Sequence, residues 1–165
     1  GQAVLDMDLT PRRRTERRLR LMPRGTPPPP EVSPVAVRRA GRSLKTSVTV
    51  EGVSVEAVVD TGSSSHLALS DGTARRAGLL DGRPQTEGQS LVLGGVMTSR
   101  IVRAGRVAIG GVEHGAVDTP IYPGLPVPGF PAALVGMAGF RDRRVVMDLG
   151  AGTMFASRPL DLIVG

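Results

Sequence analysis

The sequence has no cysteine and no tryptophan, one tyrosine and three phenylalanines. Without cysteine there is no disulfide framework, no zinc–thiolate site and no cysteine nucleophile. Aromatics make up 2% of the chain, so a core must come from Val, Leu, Ile, Ala and Met, and the 40% hydrophobic content suffices for one. No run of about 18 apolar residues exists, which leaves no transmembrane helix in the sequence. The longest small or apolar run spans 132–140. The chain starts at Gly1 rather than Met and reads as trimmed, so a signal peptide or membrane anchor upstream stays open.

Glycine (22) and proline (14) are abundant in these 165 residues. That argues against a helical bundle and for short strands joined by many turns, and the length suits one domain. The net charge of +6 is unevenly placed. Residues 1–42 hold ten arginines against Asp6, Asp8, Glu16 and Glu31, while residues 43–165 balance to zero. The excess belongs to an appendage, and no aromatic stacking partners accompany Arg12-Arg13-Arg14 and Arg17-Arg18. A nucleic-acid partner is therefore not expected. The arginine segment reads as a solvated extension or interface arm, with acidic-lipid binding and a cleft-blocking propeptide as weaker readings.

Residues 1–42 read as an Arg/Pro-rich extension, with an interface hairpin at 3–22 and a linker at 23–34. Ala3 to Leu9 and Leu19 to Met22 are its candidate strands. The prolines between Pro23 and Pro34 favour extended polyproline II. Residues 43–165 read as the main domain. Leu44 to Val50 and Val53 to Val59 alternate with period two around Glu51-Gly52, a hairpin pattern. A short strand at 66–69 follows, then a helix capped by Ser70-Asp71 and running to Leu79 or Leu80, with Ala74, Ala77 and Leu80 inward. A loop is expected over 82–88. Hairpins are expected at 91–102, 106–121 and 145–156, with a Pro/Gly loop at 120–131 and a helical turn at 137–143. The expected class is all-β with one or two short helices. Val4-Leu5-Asp6-Met7-Asp8-Leu9 also weakly repeats Val145-Val146-Met147-Asp148-Leu149.

Chemistry concentrates at Val58-Val59-Asp60-Thr61-Gly62-Ser63-Ser64. An apolar strand delivers one carboxylate at its end, followed at once by hydroxyls and a glycine. Gly62 lets an amide approach the carboxylate, and Thr61 and Ser63 offer hydrogen bonds within the turn. A carboxylate held so is suited to acid/base work. Taken alone, Asp-Thr-Gly is equally a plain β-turn.

The stretch 58–70 resembles the active-site signature of retroviral-type (retropepsin-like, pepsin-related) aspartic proteases. Gly94-Gly95-Val96-Met97 resembles that family's flap tip, Leu134-Val135-Gly136 its hydrophobic-hydrophobic-Gly element, and Asp142 to Ala156 its closing hairpin. The resemblance covers roughly residues 43–159, and its elements occur in the family's order. It implies a single-lobe, closed β fold and an aspartic endopeptidase. Asp60 would be catalytic, with Thr61, Gly62 and Ser63 supporting its turn. Leu93, Gly94, Gly95, Val96 and Met97 would form the flap, and Leu134, Val135 and Gly136 would lie beside the catalytic loop. It implies a polypeptide substrate, no cofactor and no metal. Membrane contact would come only through an upstream anchor.

That mechanism needs two carboxylates, and only one Asp-Thr-Gly is present. Asp118-Thr119-Pro120 is rejected as a second copy because proline forbids the turn. The second aspartate is then expected from a second copy of the chain in a homodimer, and the alternative is an upstream lobe of a two-lobed protease. Residues 3–23 would be that lobe's closing hairpin. A catalytically silent binding module is the rival class. His66 and His114, isolated in sequence, suggest neither a metal site nor a triad. A Lys- and Cys-poor, Arg/Ala/Val/Gly-rich chain suits a bacterial protein, and the resemblance points to a periplasmic or membrane-tethered one.

Overall fold

The computed structural model describes residues 3–10, 18–63, 65–92, 95–124 and 128–159. In chain order the early strands are β1 (Val4–Asp8), β2 (Arg18–Met22), β3 (Ser33–Pro34) and β4 (Val37–Ala40). Then come β5 (Ser43–Val50), β6 (Val53–Val59), β7 (Leu67–Ser70) and helix α1 (Asp71–Arg76). The hairpin strands β8 (Gln85–Val92), β9 (Gly95–Ile109) and β10 (Val112–Tyr122) follow. The chain finishes with β11 (Ala133–Val135), a 3-10 turn at Met137–Phe140, β12 (Arg144–Asp148) and β13 (Thr153–Ala156). Strands dominate, as the turn-rich composition requires, and no described helix is long and apolar enough to cross a membrane.

Two compact units emerge, one of residues 1–46 with 140–165 and one of residues 47–139. In the first, strands run β2-β1-β12-β13-β3. Strands β1 and β2 pair antiparallel, with Leu5 opposite Leu21 and Met7 opposite Leu19. Strand β1 adds to the last hairpin, with Leu5 opposite Met147 and Met7 opposite Val145. Met147 faces Met154, and Val145 faces Ala156. Directly paired residues share a face. Two apolar rows therefore cross the sheet, Leu21-Leu5-Met147-Met154 and Leu19-Met7-Val145-Ala156. The opposite face carries Asp6, whose carboxylate takes a bidentate contact from Arg144 (3.1 and 2.7 Å).

The proline segment is not a free spacer. Ser33 and Pro34 pair with Ala156 and Phe155 as an edge strand, where a residue without an amide is tolerated. Pro27 and Pro29 line a small cleft with Val4, Asp6 and Met22, and Glu31 pairs with Arg144. Strand β4 was not legible in the sequence. It pairs Val37 with Thr46 and Ala40 with Ser43, and Gly41 takes the left-handed turn position (φ 60).

In the second unit the order is β5-β6-β11-β7-β10-β9-β8, with β9 also pairing with β5. Val48, Val50, Val55, Ala57, Val59, Leu67, Leu69, Val107 and Ile109 build its core, each at an alternate strand position. Three local expectations change. Helix α1 is capped by Ser70 but stops at Ala77, because Gly78 turns left-handed (φ 76). That reversal buries Leu79 in place of the expected Leu80. The loop expected over 82–88 already enters β8 at Gln85. The gap expected at 103–105 is closed: β9 is continuous there, and a side chain at Gly105 would meet the Glu51 carboxylate at 3.1 Å.

Candidate active site

Strand β6 ends on Val59, and Asp60 begins a turn. The Asp60 amide donates to the Val135 carbonyl (2.8 Å), which ties the start of the turn to β11. The Gly62 amide donates to Asp60 Oδ1 (3.0 Å), and the Ser63 amide donates to the Asp60 carbonyl (3.2 Å). One bond thus reaches the carboxylate itself, and one local and one long-range main-chain bond hold the turn that carries it; the residue stays half-exposed. Gly62 is not in the left-handed region, so its role is the close amide contact rather than an unusual φ. Thr61 is exposed. The Ser63 hydroxyl, expected on the carboxylate, instead meets Ser65 Oγ (2.8 Å) and accepts from the Ser65 amide (3.3 Å). It braces the loop because its side chain turns back toward Ser65. Ser64 lies outside the described residues.

Leu134, Val135 and Gly136 lie beside this loop. Strand β11 is parallel to β6, with Val135 opposite Val59, and antiparallel to β7, with Val135 opposite Leu67. It therefore fills the slot between the strand that enters the Asp60 turn and the strand that leaves it. The Gly136 amide donates to the His66 carbonyl (3.1 Å), and the Met137 amide donates to the Ser63 carbonyl (2.8 Å). A Cβ at Gly136 would stand 2.1 Å from the Ser65 carbonyl oxygen and 2.8 Å from Ser63 Oγ, so only glycine fits.

Strands β8 and β9 pair out to Leu91 opposite Val96 and Val92 opposite Gly95. Val96 is 61% exposed. Leu93 and Gly94, two of the expected flap residues, lie outside the described residues, and for Gly95 and Met97 only the strand pairing is described.

The aspartyl protease family profile matches residues 46–138, more than half of the chain. The chain belongs to the aspartyl protease family. It is an aspartic endopeptidase by that membership. No curated protein matches it by sequence. Among solved structures it is similar to a retropepsin-like aspartic protease from Rickettsia conorii. There the identity is 22% and the TM-score 0.57, over 76% of this chain and 91% of that one. It also matches the EIAV protease in complex with the inhibitor HBY-793, at 14% identity and TM-score 0.44, over 61% of this chain and 88% of that one. The fold is thus the all-β, retropepsin-like one.

Two further sequence readings meet the geometry of this protease. Asp118 lies exposed on β10 and pairs with Arg103 (2.9 Å), a strand residue with no turn around it, in keeping with its rejection as a second catalytic copy. His66 and His114, far apart in sequence, pack edge to face with centroids 5.5 Å apart. No signal along the chain could have shown that contact, because it depends on how β10 passes the loop after Asp60. No group of three or more metal-ligating side chains gathers among the described residues.

Proposed function

We propose that Asp60 is the catalytic carboxylate of a peptide hydrolase that activates a water against an extended polypeptide. The observation that carries this reading is the fixed, half-exposed carboxylate at the strand end, with the Gly62 amide on Oδ1 and the main chain pinned to Val135. The reaction needs two carboxylates sharing one proton, since like charges at that distance cannot both ionise. The ionised member takes a proton from the water as it adds to the scissile carbonyl, and the protonated member hydrogen-bonds the carbonyl oxygen. The proton gained then passes to the leaving amine as the C–N bond breaks. Thr61, Gly62 and Ser63 shape the Asp60 turn. Residues 93–97 serve as a flap that excludes water and grips the substrate backbone, with apolar side chains favoured beside the cut.

The second carboxylate comes from a second protease-like lobe. A second copy of this chain across a two-fold axis would supply it, and so would another lobe of the same polypeptide. The exposed apolar positions on β2 favour the latter. The experiment for the catalytic reading is Asp60→Asn, which keeps volume and hydrogen bonding. Peptide cleavage should fall by at least about 10²-fold with an unchanged melting curve. Wild-type cleavage by that variant would overturn the reading.

A further inference from the structure

The sheet β2-β1-β12-β13 is related to itself by an approximate two-fold axis through the pair Asp6 and Val146. Leu5 opposite Met147 is mirrored by Met7 opposite Val145, and Val4 opposite Asp148 by Asp8 opposite Arg144. The same operation lays Met7-Asp8-Leu9 on Met147-Asp148-Leu149. A repeat read along the chain and a register read across the sheet are independent observations, and here they agree. Through the pairings, Leu19 becomes the counterpart of Met154, and Leu21 of Ala156.

Burial breaks this symmetry. Met154 and Ala156 are 1% and 4% exposed, whereas Leu19 and Leu21 are 66% and 73% exposed. The uncovered apolar face is continuous, through Leu5 and Met7, with the covered one. Large exposed leucines side by side on a strand mark a surface that takes a partner. The edges of β12 are already used, one by β1 and the other by β13, so a second copy's β12 has no edge to pair with there.

Resting on Asp60 as one of two catalytic carboxylates, we infer that β1 and β2 are the closing hairpin of a second protease-like lobe carried on the same polypeptide ahead of residue 3. That lobe covers Leu19 and Leu21 as Met154 and Ala156 are covered here, and it supplies the second aspartate. The order of parts agrees: in this lobe the Asp60 turn precedes the closing hairpin, so the other lobe's aspartate would precede β1. A second copy offers a poorer fit. Its own rows over β12 and β13 are already buried, which leaves only its β2 leucines to meet the same two leucines.

The test uses the polypeptide as its gene encodes it. The sequence ahead of residue 3 should carry its own Asp-Thr-Gly or Asp-Ser-Gly turn, and its absence overturns the inference. The protein should sediment as a monomer, with specific activity constant over roughly 100-fold dilution. Excess Asp60→Asn protein should leave the wild-type rate unchanged, because no subunits exchange. A dimer whose activity per molecule falls on dilution and is suppressed by Asp60→Asn would overturn the inference in favour of a second copy. Leu19→Asp with Leu21→Asp should lower the melting temperature by several degrees, and an unchanged melt would show the face open to water. If Asp60→Asn alone cleaves at the wild-type rate, the catalytic reading fails instead. Sedimentation and melting still decide the lobe.

Discussion

The amide of Asp60 and the carbonyl of Val135 are hydrogen-bonded at 2.8 Å, joining the candidate catalytic turn to a strand that follows it by more than seventy residues. The turn is therefore held from outside as well as by its own bonds. Its geometry depends on β11 staying in its slot, and Gly136 controls that slot.

Gly136→Ala should cost about 3 kcal/mol of stability, since the new methyl meets main-chain oxygen that cannot move aside. Cleavage should fall with it even below the melting temperature, because the Ser63 and Ser65 loop must shift. Thermal melts and peptide assays check both, and a variant with wild-type values in each would show that the slot is looser than described.

Asp6 and Arg144 form the best-shielded ion pair among the described residues of the first unit, with side chains 9% and 22% exposed. Asp6→Asn should cost roughly 2 kcal/mol, between the values for surface and fully buried pairs, because it leaves a partly buried guanidinium short of its partner. Denaturant titration of both proteins gives the number. Added salt should reduce the difference only slightly.

Glu31 has its carboxyl held below the ordinary range, first by a hydrogen bond with its own main chain and then by Arg144. A lowered carboxylate pKa adds stability above the ordinary value, and that stability is lost as pH falls through the folded value. Wild type should melt above Glu31→Gln near neutral pH, and the gap should close below about pH 4.3. A gap that widened in acid would contradict the assignment.

Ser70 accepts a hydrogen bond from the Thr73 amide (3.3 Å) at the start of α1 and donates to the Thr73 hydroxyl (2.8 Å). Ser70→Ala should cost about 1 kcal/mol, the usual value of a lost N-cap. The cap was legible in the sequence because Ser-Asp before a small-residue helix is a local signal. The helix end was not, because only the left-handed Gly78 shows where the period breaks.

The sequence by itself determined the strands that alternate, the hairpin turns, the Ser70 cap and the Asp60 turn. Each of these is set within a few neighbouring residues by side-chain period, turn chemistry and the freedom of glycine. It also carried the repeat between Met7-Asp8-Leu9 and Met147-Asp148-Leu149, which left open a coincidence of strand composition and an upstream lobe's closing hairpin. Only the tertiary structure decided which strands meet. It placed β11 between β6 and β7, gave Gly136 its reason, brought His66 to His114 and set β1 beside β12. A period of two fixes which face of a strand is apolar but not which strand lies next to it or what covers that face. For that reason Leu21 and Ala156 read alike as apolar strand positions in the sequence, and the structure alone shows one open to solvent and the other buried.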